Sequence, residues 1–333
     1  MWYTNYGKDG DVILSTRVRL ARNLSDMPFP IKETAEQQKE IIERFKEISK
    51  EIPNSTFIDL SAMSERDKRA LSEQHLISPN MISTDILRGL ILSDDGRLSI
   101  MINEEDHLRI QAMKEGFALE DCRKAADEAD DIIESHTDYA FSEKLGYLTG
   151  CITNVGTGLR ASVMAHLPAL STSGRIGELA RSLSKMGVAV RGLFGEGSEA
   201  LGNIYQISNQ ITLGISEDET ISRLSEIVTE IVTQERTLAA KIYDADKYRV
   251  EDRVCRALGT LKSARIITSN EALSLLSDVR FGINLGIIKG VQKDMPNKIL
   301  YSVLPGTISK NFNIESVSER DIKRAEIIRE MLS

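Results

Sequence analysis

The chain has 333 residues, with 42 Lys plus Arg against 50 Asp plus Glu and a formal net charge of −8. Its 41% hydrophobic content supports a sizeable core and excludes global disorder, and the acidic balance argues against general nucleic-acid binding, which needs a basic footprint. Three scattered cysteines without a CxxC exclude a disulfide framework or a zinc motif, and no apolar run approaches the roughly 18 residues that span a bilayer, so the chain reads as a soluble, cytoplasmic protein of about two domains.

In chain order, the first strong signal is residues 12–20, VILSTRVRL, whose β-branched alternation predicts a strand. A helix is predicted over 33–52, with Ile41, Ile42, Phe45 and Ile48 on one face. LSIMI at 98–102 predicts a second strand, running into Asn103-Glu104-Glu105-Asp106-His107-Leu108-Arg109. A charged, Ala-rich helix follows at 120–137. Residues 151–167 predict a third strand, and 188–194 with 203–213 predict two more around a Gly-rich turn. The stripe Ile221, Leu224, Ile227, Val228, Ile231, Val232 predicts a core helix over 217–240, and Ser216 with Glu219 forms a capping-box pattern at its start. Short helices are expected at 251–263, 269–281 and 316–332, with further capping-box patterns at Thr268/Glu271 and Ser316/Glu319. The change of pattern places a domain boundary near 245–250, between an α+β core and a small, mostly helical C-terminal domain.

The motifs of Walker NTPases, Rossmann enzymes, ordinary protein kinases, zincins and α/β-hydrolases are absent. What the strands carry instead is arginine. Arg17 and Arg19 are two apart, so both side chains point to one face of a strand. A solvated face and an anion site both fit that pair. The acidic run at 104–106 fits a solvated surface, yet it follows an apolar strand directly, which directs at least one acid into a cleft. Arg160 and Arg191 lie within small and apolar strand sequence and need partners. Arg presents planar forks that match phosphate oxygens, so Arg17, Arg19, Arg109, Arg160 and Arg191 together suit a nucleotide triphosphate with Mg²⁺. Glu105 and Glu196, from two loops, are then left for a second substrate.

At these residues the sequence closely resembles the ATP:guanido phosphotransferases, the family of creatine and arginine kinases. STRVR, NEEDHLR, C-x-T-N-x-G-T-G-x-R-A-S-V, and RGxxGE followed by YQISN stand in the family's order over roughly residues 10–240. The resemblance implies a phosphagen-kinase-like core, an antiparallel sheet flanked by helices. It also implies an ATP site made of Ser15, Thr16, Arg17, Val18 and Arg19, of His75, of Arg109, and of Arg160, Ala161, Ser162, Val163 and Met164. Arg191, Gly192, Leu193, Phe194, Gly195 and Glu196 complete that set. Glu105 and Glu196 are implied as the catalytic carboxylates. Cys151 matches the family's active-site Cys, although Ile152 follows it where Pro is usual.

Two departures from the small-guanidine kinases sharpen the expectation. STRVR begins at residue 15, leaving no room for their helical N-terminal domain, and about 90 residues follow the point where they finish. Near the end stands Arg320-Asp321-Ile322-Lys323-Arg324-Ala325. This arrangement resembles the bacterial, McsB-type protein-arginine kinases, in which an RDxxRA motif forms a phosphoarginine pocket, here Arg320, Asp321, Arg324 and Ala325. The expected domains are therefore a catalytic domain at 1–245 and a helical domain at 246–333. The expected reaction transfers the γ-phosphoryl group of ATP to arginine side chains of proteins. Mg²⁺ is expected on the phosphates and water rather than on protein ligands. The resemblance further implies an activator protein, a transcriptional repressor as target, delivery to a Clp protease and a homodimer, with neither nucleic acid nor membrane as partner. A kinase of free arginine and an inactive phosphoarginine-binding adaptor are the alternatives.

Overall fold

The computed structural model describes residues 1–82, 86–192 and 201–333. The strands, in chain order, are β1 (Ile13–Arg22), β2 (Ser55–Asp59), β3 (Gly89–Ser93), β4 (Leu98–Ile102), β5 (Leu108–Glu115), the short β6 (Phe141–Ser142) and β7 (Gly146–Tyr147), β8 (Leu159–His166), β9 (Val188–Gly192) and β10 (Ile204–Asn209). Apart from the β6-β7 hairpin they form one antiparallel sheet of order β2-β3-β4-β5-β1-β8-β10-β9. The helices are α1 (Ala35–Ile48), α2 (Glu65–Glu73), α3 (Leu119–Glu134), α4 (Pro168–Thr172), α5 (Ile176–Lys185), α6 (Glu217–Ala245), α7 (Lys247–Ser263), α8 (Ser269–Asn284), α9 (Met295–Ser302), α10 (Pro305–Phe312) and α11 (Val317–Met331).

Alternation along the strands sorts the sheet into two faces. Val18, Leu20, Ile110, Ala161, Val163 and Ile207 point to one, where they pack against Ile41 and Phe45 of α1, Ala126 and Ile133 of α3, and Leu224 and Val228 of α6. The opposite face keeps its polar residues. The 29-residue α6 contributes its first half to this core; Leu238 and Ile242 of its second half pack against a second core built by α7 to α11. Asp246, at φ −146° and ψ 62°, interrupts the helix before α7. A third cluster joins Trp2, Leu14, Met113 and Met164 to Leu300 and Tyr301 of α9.

Several expectations change. Residues 151–158 are turns, and the third strand begins only at Leu159. The Gly156 and Gly158 positions have φ of +116° and +66°, which strand backbone does not adopt. Ser216 and Thr268 do cap their helices, each accepting the amide N–H three residues on, at 3.1 Å and 3.3 Å. Ser316 makes no such cap; its hydroxyl turns to Ser318 at 3.0 Å. A reciprocal capping box stands instead at Thr34/Gln37, opening α1. Among the described residues, no helix is long and apolar enough to cross a membrane.

Candidate active site

The polar face of the sheet owes its character to register. Arg19 on β1 lies directly opposite Arg160 on β8 and Gln111 on β5, and Ala21 opposes Arg109. Arg17 opposes Ser162, while Arg191 on β9 opposes Gln206 on β10. Directly paired residues share a face, so one alternation per strand is enough to bring five arginines together from residues as distant as 17 and 191. They line a cleft of about 230 Å³ with His75, Ser78, Gln111 and Gln206. Arg17 donates to the Gln206 side-chain oxygen at 3.2 Å. The Nε atoms of Arg19 and Arg160 are buried without a hydrogen-bond partner.

Crowded guanidiniums destabilise one another's charge. Burial, then Arg109 and Arg160, push the Arg17 pKa down to about 10. Burial and the same neighbours, with Arg17, hold Arg19 well below its ordinary value, and burial with Arg191 and Arg109 lowers Arg160. A polyanion in the cleft would relieve all of these at once. His75 follows α2 at φ +59°. Burial, Arg17 and Arg19 push its imidazole down to about 3, so it is neutral at physiological pH.

The acidic run divides into three roles. Glu104 is fully enclosed: it takes the Arg109 guanidinium at 3.0 Å, the Ser78 hydroxyl at 2.7 Å and the Glu105 amide at 2.8 Å. Burial alone would raise its pKa, but Arg109 and these donors outweigh it and the net shift is downward. Asp106 is buried and accepts from the Asn23 amide at 2.6 Å and from the Gly150 N–H at 2.5 Å, which fixes the turn that carries Cys151. Glu105 alone remains open, with its side chain 40% exposed and 3.3 Å from Arg109. Burial, reinforced by Glu104 and Asp106, raises its pKa against the pull of Arg109 and Arg160. Glu105 lines a smaller recess of about 100 Å³ with Thr153 and Asn154. Arg19, Arg109 and Arg160 border both this recess and the larger cleft. The Cys151 thiol stands on the same turn, 3.0 Å from the Thr153 hydroxyl.

The expected site residues therefore scatter in an orderly way. Arg17, Arg19, His75, Arg109, Arg160 and Arg191 line the larger cleft, while Ser15, Ser162 and Met164 line a third, small recess that shares Arg17, His75 and Gln206 with it. Thr16, Val18 and Ala161 do not: period-two alternation turns their side chains to the helical face, and Thr16 spends its hydroxyl on the Gly116 carbonyl at 2.7 Å. Val163 likewise belongs to the core, although it borders the small recess. Gly192 ends β9. Leu193, Phe194, Gly195 and Glu196 lie outside the described residues. Arg320 and Asp321 are partly exposed at the start of α11, but Arg324 and Ala325 are 1% exposed. The Arg324 guanidinium is already engaged by Asp321, by the Val303 carbonyl at 2.9 Å and by the Ile267 carbonyl at 3.0 Å. Of the expected phosphoarginine residues, Arg320 and Asp321 are thus accessible, while α11 turns Arg324 inward against α9. Asn23 and Gln111 are absent from the sequence expectations, and Glu104, Asp106 and Gln206 enter them only within NEEDHLR and YQISN, without a role. A polar residue at every second strand position was the available signal for the two glutamines.

Comparison with known proteins follows this geometry. Residues 36–238 match the ATP:guanido phosphotransferase C-terminal catalytic domain, and residues 247–333 match the protein-arginine kinase McsB C-terminal domain. A protein-arginine kinase of Bacillus subtilis (strain 168) is 45% identical, covering 99% of this chain and 93% of that one. One of Caldanaerobacter subterraneus subsp. tengcongensis is 45% identical, covering 98% of each. Among solved structures, a lombricine kinase superimposes with a TM-score of 0.61 at 25% identity, over 72% of this chain and 70% of that one. A duplicated taurocyamine kinase of Schistosoma mansoni, with TM-score 0.62 and 24% identity, covers 81% of this chain and 41% of that one and shares the fold.

Proposed function

The chain belongs to the ATP:guanido phosphotransferase family, and from that premise we propose that its cleft takes the triphosphate of ATP on Arg17, Arg19, Arg109, Arg160 and Arg191 and presents an acceptor guanidinium to Glu105. The chain is a protein-arginine kinase, and ATP is its phosphoryl donor. The reaction is ATP plus a protein arginine giving ADP, N-phosphoarginine and a proton. The observation that carries the site assignment is the shared border: Arg19, Arg109 and Arg160 touch both recesses, where a transferring phosphoryl group would sit between donor and acceptor.

Phosphoryl transfer is mostly positioning and charge stabilisation. The acceptor is difficult because a guanidinium with a pKa of about 12.5–13.8 is a weak nucleophile. Glu105, made more basic by burial and two acidic neighbours, pairs with that guanidinium, aligns one nitrogen and takes its proton as transfer proceeds. Glu104, locked on Arg109, holds one cradle arginine at the border. We assign Glu196 the second carboxylate contact from its motif, and Cys151 a supporting role beside Arg160. Among the described residues no group of three His, Cys, Asp or Glu could hold a metal ion. We take a divalent cation, Mg²⁺, to enter with ATP as part of the substrate, held by phosphate oxygens and water.

We also read Arg320 and Asp321 as a phosphoarginine site, with Arg324 fixing Asp321 from within and Ala325 packed beneath. From the resemblance we place the protein in the cytoplasm as a homodimer, with an activator protein, a transcriptional repressor among its substrates and a Clp protease downstream. The central test is incubation of a basic protein with Mg-ATP, acid-free handling and mass spectrometry for phosphoarginine. Phosphoarginine on the protein and none on free arginine is expected. ADP release with free arginine and an unmodified protein would move the reading to a small-guanidine kinase. No ADP in a single turnover would leave a binding adaptor.

A further inference from the structure

The turn that carries His75 is held from outside the sheet, residue by residue. Glu73 ends α2, and its carboxylate accepts the Gly306 N–H at 2.6 Å, the Thr307 N–H at 2.8 Å and the Thr307 hydroxyl at 3.2 Å. These are first-turn donors of α10, whose own N-cap residue, Leu304, supplies no side-chain acceptor. A Cβ on Gly306 would approach the Glu73 carboxyl to 3.0 Å, so glycine there admits the contact. The next residue, Gln74, accepts the Trp2 indole N–H on its carbonyl at 3.3 Å. The His75 carbonyl accepts from Gln111 at 2.6 Å. The His75 ring meets a pair of aromatic neighbours on one side, Trp2 at 6.3 Å and Tyr301 at 6.0 Å between centroids. Tyr301 itself meets Trp2 at 4.9 Å and stacks on Tyr3 at 4.7 Å.

Left-handed backbone at a residue other than glycine carries a conformational cost and persists only when its surroundings over-determine it. Here those surroundings are Gln111 of β5, Trp2 of the N-terminal segment, and α9 and α10, which lie beyond the sheet. We propose that Tyr301 and Glu73 are positioning residues for the nucleotide: docking of α9 and α10 onto the turn at 73–75 sets where His75 stands in the arginine cleft, and so sets affinity for ATP. The inference rests on the reading of His75 as an ATP contact and extends it to the C-terminal helices. The link continues outward, because the Val303 carbonyl that receives Arg324 lies two residues beyond Tyr301.

The test is a double-mutant cycle on ATP affinity, read by calorimetry and by KM against kcat in the full chain. His75→Ala is expected to weaken ATP binding about tenfold, and Tyr301→Leu by a similar factor with kcat little changed. In the His75→Ala background, Tyr301→Leu should add almost nothing. Tyr301→Phe should bind ATP as the wild type does, because the ring is retained and the Tyr301 hydroxyl has no partner. If Tyr301→Leu fails to fold, Glu73→Gln enters the same cycle, since it retains the side-chain volume and removes the carboxylate that caps α10. Weak binding in His75→Ala with normal or additive effects at Tyr301 and Glu73 would overturn the positioning role and leave the ATP contact standing. Unchanged ATP affinity in His75→Ala would overturn the contact, and the positioning role with it.

Discussion

Three consecutive acids, Glu104, Glu105 and Asp106, have three environments, and of the three only Glu105 keeps a free edge, toward the smaller recess. Glu105→Gln preserves volume and removes basicity. We expect kcat to fall by at least about 100-fold while ATP affinity stays within about twofold. Near-normal turnover would remove Glu105 from proton transfer. Arg160 tests the cradle. Arg160→Lys keeps the charge and loses the planar fork, so kcat/KM should drop sharply at unchanged net charge. If Lys serves equally well in steady-state assays, the cleft acts only as a diffuse positive field.

At the scale of elements, α11 and α6 each carry a buried charge with a structural consequence. Arg324 ties α11 to α9 and to the loop before α8 through Val303, Ile267 and Asp321. Arg324→Ala strands Asp321 and two carbonyls and should cost roughly 3–5 kcal/mol in chemical denaturation. Among the described residues, Arg320 bonds the Glu315 carbonyl at 2.7 Å and, weakly, Ser309 at 3.5 Å. Arg320→Ala should cost less than about 1 kcal/mol and abolish calorimetric binding of free phosphoarginine. Equal phosphoarginine affinity in the variant would return RDxxRA to an ordinary charged helix face. On α6, Glu235 accepts the Ala169 and Leu170 N–H groups at 2.7 Å and 2.9 Å, and burial pushes its pKa up from 4.5 to about 7. A folded-state pKa above the unfolded one favours the protonated native state. Its stabilisation is therefore complete below about pH 4.5 and lost as pH rises through 7, by up to about 3 kcal/mol. Glu235→Gln should flatten the wild-type loss of thermal stability between pH 5 and 8. An identical slope in both proteins would count against this titration.

For the molecule as a whole, the cluster of Trp2, Leu14, Met113, Leu300 and Tyr301 joins the N-terminal segment, the sheet and the C-terminal helices. Trp2 is the single tryptophan and is fully buried there. Its fluorescence should therefore melt at the same temperature as the far-ultraviolet circular dichroism, and ATP should shift both upward together. Two separated transitions would show that the cluster does not couple the layers. Four of the arginines were legible in the sequence because Arg17, Arg19, Arg160 and Arg191 sit in small and apolar strand segments, and Arg109 because it ends the NEEDHLR motif. The strands flanking this set were less legible: β2, STFID, and β3, GLILS, carry no alternation of apolar and polar residues. By itself the sequence determined the α+β class, the family and the common face of the five arginines, because these rest on local periodicity and on motifs in a fixed order. Only the tertiary structure decided that Glu104 locks Arg109, that Arg324 turns inward, and that Tyr301, 226 positions beyond His75, packs beside it. Those outcomes depend on which surfaces meet when helices dock on a sheet, and helical periodicity fixes a helix's buried face without fixing its partner.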